Sequence, residues 1–106
     1  MITAPEPREL PSQTIRVASA SGSKVINVSG YLDALIVDAP GSETFKLSIK
    51  GPSGVEYYIT PNLLTGDNTI IFSPALPMTG KMTVTILNAS GDGDFAFTPI
   101  GNMKGT

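Results

Sequence analysis

The 106-residue chain contains no cysteine, no histidine and no tryptophan. Without cysteine there is no disulfide framework and no thiolate metal site. Without cysteine or histidine, Ser-His-Asp and Cys-His catalytic arrangements are excluded, and the most common general acid–base group is missing. A Ser-Lys pair or paired carboxylates could replace them in principle, but the serines and lysines fall on outward strand positions and in turns. The reading is a non-enzyme with no cofactor. Charge is also scarce, at 15% of residues against the usual quarter or so, which suggests that a partner covers part of the surface. Seven basic residues are scattered among nine acidic ones, for a net charge of −2. Phosphate recognition needs Lys and Arg gathered on one face, so no nucleic-acid partner is expected. No run approaches the roughly 18 apolar residues of a membrane helix. The first residues also lack the basic start and apolar stretch of a signal peptide, so neither membrane insertion nor export is expected.

What the chain does have is alternation. Aliphatic and aromatic residues make up 41% of the sequence, while nine prolines and eleven glycines interrupt it throughout. Short alternating runs separated by turn residues every 8–12 positions are the pattern of an all-β domain. Strands are expected near 13–19, 24–29, 31–38, 43–50, 55–60, 67–73, 81–88 and 94–100. In Thr44–Lys50 the apolar Phe45, Leu47 and Ile49 share one face, and Lys46, Ser48 and Lys50 the other. Met82, Val84 and Ile86 repeat the pattern. Tyr31–Val37 differs, being apolar on both faces apart from Asp33. Such a strand either lies centrally beneath a loop or turns its second face to another subunit. The expected architecture is an antiparallel β-sandwich, jelly-roll-like, of about eight short strands. An immunoglobulin-type order is the alternative.

Residues 1–12 carry Pro5, Pro7 and Pro11 and read as an extended N-terminal arm. The sandwich is placed at 13–101 and a C-terminal tail at 102–106. One hairpin can be specified further. Pairing Ile49 with Val55, Leu47 with Tyr57 and Phe45 with Ile59 keeps the apolar faces together. It requires an odd loop, with Pro52 at the second turn position and Gly54 at positive φ.

Candidate sites are few. Asn88-Ala89-Ser90-Gly91-Asp92-Gly93-Asp94 offers oxygen ligands of the kind Ca²⁺ takes, but Gly and Asp are equally the residues of a turn, and no metal site is assigned. Two connections are unusually apolar: Pro61-Asn62-Leu63-Leu64, which could form a single helical turn, and Ser73-Pro74-Ala75-Leu76-Pro77-Met78. Leu63, Leu64 and Leu76 either tuck under the open ends of the sandwich or form an exposed patch for a partner. Tyr57 and Tyr58 alternate faces, and an exposed Tyr58 near Lys46 could serve a protein or sugar ligand.

The Pro-rich arm, Tyr31–Val37 leading into Phe45–Ile49, and Leu76-Pro77-Met78-Thr79-Gly80 feeding Met82–Ile86 resemble the small jelly-roll decoration (cement) proteins of tailed bacteriophage capsids. The likeness is one of shape and covers most of the chain. It implies a virion protein, made in the host cytoplasm, that sits on the outer capsid surface as a dimer or trimer. There it would bridge neighbouring major-capsid subunits. The contacts would come from the arm (Pro5, Pro7, Leu10, Pro11) and the apolar loops (Leu63, Leu64, Leu76, Pro77, Met78). A tail, neck or fibre component, a carbohydrate-binding sandwich and a secreted accessory domain are the alternatives.

Overall fold

A computed structural model describes the backbone of residues 8–105 and the side chains of residues 9–102. Among these residues there is no helix, and ten strands carry the fold: β1 Arg8–Glu9, β2 Gln13–Val17, β3 Gly22–Ile26, β4 Val28–Asp38, β5 Thr44–Lys50, β6 Glu56–Ile59, β7 Leu64–Thr65, β8 Asn68–Thr79, β9 Met82–Leu87 and β10 Gly93–Gly105. Their pairing is nested. β2 pairs with β10, β3 with β9, β4 with β8, and β5 with β6 and β7, all antiparallel. The chain is thus one long antiparallel ribbon rolled on itself. Pairing of β4 with β10 and of β5 with β9 completes two sheets, β1/β2-β10-β4-β8 and β3-β9-β5-β6/β7. This is the winding of a jelly roll.

Period-2 alternation places the core between the sheets. One sheet contributes Ile15, Val17, Leu32, Leu35, Val37, Met78, Phe95 and Phe97, and the other Phe45, Leu47, Ile49, Met82, Val84 and Ile86, all buried. Phe45 and Phe95 meet across the gap edge to face, with centroids 5.1 Å apart, a favoured aromatic geometry. Each such side chain contributes about 1.5–3 kcal/mol by leaving water.

The β2–β3 turn joins the two sheets. Ala18 and Ser21 exchange backbone hydrogen bonds of 3.0 and 3.3 Å, and Ser19 and Ala20 both take positive φ, 55° and 72°. That is a two-residue I′-type hairpin turn, for which Asn-Gly is the favoured pair. Left-handed conformation disfavours the Cβ of Ser and Ala. Ser19→Asn with Ala20→Gly is therefore expected to raise stability by about 1 kcal/mol. For a domain of this size that corresponds to a melting temperature roughly 4–8 °C higher in calorimetry.

The β5–β6 hairpin corrects the expected register. Pro52 and Gly54 behave as anticipated: the Gly54 N–H donates to the Gly51 carbonyl at 3.1 Å, and Gly54 has φ 83°. However, Lys50 pairs with Glu56, Ile49 with Tyr58 and Ser48 with Ile59, with a bulge between Ile49 and Lys50. The bulge absorbs Tyr57, whose ring lies over Gly51. Tyr58 consequently turns toward the core and meets Phe72 edge to face at 5.0 Å. The lost alternation at Tyr57 has a local reason, since a Cβ on Gly51 would sit 2.5 Å from that ring.

Three boundaries also differ from expectation. Arg8–Glu9 of the expected arm pairs with Ile100 and Gly101, Leu10 packs against the core, and residues 1–7 lie outside the described residues. The expected tail from residue 102 continues β10, with Asn102–Gly105 paired to Val28–Tyr31. Pro61 and Asn62 form a bend, not a helical turn, before β7.

A candidate interaction surface

Directly paired residues on neighbouring strands share a face, so the registers define both outer surfaces. On the outside of the β9-containing sheet, Lys50 lies opposite Thr83, Ser48 opposite Thr85, and Lys46 opposite Leu87. Thr83 and Thr85 lie in turn opposite Val25 and Ser23. The central strands of this face are mostly Lys, Ser and Thr, the ordinary polar side of a half-buried sheet, with Val25 and Ile59 exposed on the flanking strands β3 and β6. The buried Ser48 hydroxyl donates to Glu56 Oε2 at 2.8 Å.

The other outer face breaks that rule. Ile71 of β8, Ala34 of β4 and Ile100 of β10 form one row across three strands. Thr69, Ile36 and Thr98 form the next, and Pro77, Tyr31 and Asn102 a third. Ile71 is 77% exposed and Tyr31 58%, while Ala34 and Thr98 lie buried as the floor between them. Charge appears at the margin, as Asp38 opposite Ala96 and the exposed Arg16–Asp94 ion pair of 3.0 Å, and within β4 at the half-buried bulge residue Asp33. β4 is thus a central strand whose outward residues are exposed Tyr31, buried Ala34 and half-buried Ile36, with Asp38 at its end. Large apolar side chains left exposed on an outer sheet face make that face a candidate interaction surface.

A break in β8 extends the surface around the sheet edge. Ala34 pairs with Ile71 and Leu32 with Leu76, so the four residues Phe72-Ser73-Pro74-Ala75 face Asp33 alone. Pro74 offers no N–H there, which suits an edge strand. Phe72 turns inward against Tyr58, and between them, Ile71 and Pro74–Pro77 opens a cleft of about 400 Å³. Ile71 and Pro77 therefore belong to both the face and the cleft.

The residues singled out from sequence divide accordingly. Pro5 and Pro7 lie outside the described residues. Leu10 is half-buried and Pro11 exposed, both lining a second cleft at the opposite side of the sandwich. Leu63 is exposed, whereas Leu64 is half-buried in β7 opposite Phe45. Ser73–Met78 is strand, not loop: Pro77 faces outward, Leu76 packs against the core, and Met78, 1% exposed, is a core residue with no surface to offer a partner. Tyr58 packs against Phe72 and so is not the exposed member of its pair; Tyr57 is, and Tyr31 is more exposed still. Composition concealed Tyr31 and Ile71, because either could have filled the core. The two-faced apolar character of Tyr31–Val37 was the available signal.

In the Asn88–Asp94 loop, Asn88 takes φ 52° and Asp94 is engaged by Arg16. No three acidic side chains gather in a metal-holding group among the described residues. The Ser90 hydroxyl accepts from the Thr44 N–H at 3.0 Å, which ties this loop to the start of β5. No protein-family model matches the chain, and no curated protein is recognisably similar to it in sequence.

Proposed function

We propose that this chain is a virion structural protein that decorates a tailed-bacteriophage capsid. It acts as a dimer or trimer and bridges neighbouring capsid subunits through the outer face of the β4-containing sheet. The supporting observation is the failure of polar-out alternation on that face, where Tyr31 and Ile71 stand exposed over Ala34, whereas the central strands of the opposite sheet turn mostly Lys, Ser and Thr outward. A small module repeated over a lattice needs only modest contacts per copy, because multivalency raises the total affinity. A rigid sandwich loses little conformational entropy on docking. The carbohydrate-binding alternative has less support, since Tyr58 is held against Phe72.

The test is co-sedimentation with tailed-phage capsids stripped of their own decoration protein, alongside light scattering of the free protein. Tyr31→Ser combined with Ile71→Ser is expected to weaken attachment by about tenfold or more, roughly 1.4 kcal/mol or above. Both side chains are largely solvated in the free domain, so its melting temperature should move by no more than about 2 °C. Undiminished attachment of the double variant would overturn the assignment of this face.

A further inference from the structure

The second cleft lies between the edges of the two sheets. At one end the β2–β3 corner is closed tightly: a Cβ on Gly22 would lie 2.3 Å from the Arg16 carbonyl oxygen. Away from that corner the sheets diverge, and a cleft of about 420 Å³ opens between Leu10, Pro11 and Gln13 on one side and Lys24–Val28 on the other. Two strand edges border it. Among the described residues β3 pairs only with β9 along its length, and β1 and β2 pair only with β10. Leu10, Ile26, Val28 and Pro99 give the cleft apolar walls, with Gln13 and Asn27 among them.

Lys24 breaks the pattern. It lies opposite Val84, a fully buried core residue, so it occupies an inward register position of β3, and its exposed side chain borders the cleft. The Arg16–Asp94 pair is the ion pair among the described residues, and no acidic side chain there meets Lys24. An inward lysine on an edge strand repels a neutral apolar strand. The same charge admits a strand that brings a carboxylate to it, because selectivity combines rejection with attraction.

We propose that this cleft binds an extended peptide strand of a partner chain, with two apolar residues spaced two apart and followed by a carboxylate that pairs with Lys24. Backbone hydrogen bonds to the free edge of β3 give affinity, and alternate side chains entering the cleft give selectivity, which is the logic of strand addition. The site is separate from the Tyr31–Ile71 face and does not depend on the function assigned to that face.

The probe is a synthetic seven-residue peptide that alternates threonine with valine, valine and glutamate, titrated into the full chain by calorimetry. Binding is expected to weaken about tenfold in Lys24→Glu and to return when the peptide glutamate is replaced by lysine. N-methylation of the peptide on its β3-facing side should abolish binding, and Tyr31→Ser with Ile71→Ser should leave it unchanged. Two results would overturn the proposal. One is no binding at about 1 mM peptide. The other is tighter binding of an all-valine peptide to Lys24→Met than of the acidic peptide to the wild type, which would make Lys24 a guard against strand addition and nothing more.

Discussion

Phe95→Ala is expected to destabilise the domain by about 3–5 kcal/mol, the range for truncating a fully buried phenylalanine. Phe95 is completely buried, pairs opposite Ile15 on β2 and meets Phe45 of the facing sheet. Its removal opens a cavity where the two sheets are joined, and neither sheet can collapse into it without breaking its own ladder. Domains of this size have about 5–15 kcal/mol in all. The melting temperature should therefore fall by roughly 15–30 °C, or the variant should be largely unfolded at 37 °C. Urea unfolding followed by circular dichroism checks this. A loss under about 1 kcal/mol would mean that the sheets do not pack as described.

Gly101→Ala is expected to be nearly as costly for a different reason. A Cβ at this position would lie 2.1 Å from the Tyr31 carbonyl oxygen and 3.1 Å from the Asp33 nitrogen, and both obstacles are backbone. Between Gly101 opposite Leu32 and Ile100 opposite Ala34, Asp33 is the extra residue of the bulge. The ladder must either expel the bulge or open, at a cost of about 3 kcal/mol, the upper part of the range for overpacking. Gly54→Ala makes the control, because a Cβ there meets nothing within 4 Å. Its cost is the positive φ alone, about 1 kcal/mol. A ranking with Gly54→Ala worse than Gly101→Ala would contradict the bulge geometry.

Much of the sandwich was legible because its inner faces alternate cleanly. Phe45, Leu47 and Ile49 on β5 and Met82, Val84 and Ile86 on β9 are all buried, and six of the eight expected strands lie within a few residues of those formed, while β8 and β10 run well past their expected ends. The sequence was hard to read where period 2 is interrupted. Tyr57 in a bulge moved Tyr58 to the core side, and the four residues opposite Asp33 let a proline-containing segment remain within a strand instead of looping out. Met78 looked like a loop residue because Pro74 and Pro77 precede it closely, yet the edge position of β8 tolerates both prolines and buries Met78. Alternation alone assigns residues to one face or the other; only strand order shows which outer face is left uncovered. Tyr31 and Ile71 therefore became candidates once β4 was seen to lie between β8 and β10.

The most direct test of the account is hydroxyl-radical footprinting of the free protein and of the protein on a capsid lattice. Tyr31 and Tyr57 serve as internal reporters, both accessible in the free domain. Docking through the β4 face predicts that Tyr31 becomes several-fold less reactive on the lattice while Tyr57, over Gly51 on the other sheet, keeps its free-state rate. Tyr31 remaining as reactive on the lattice as in solution would contradict it.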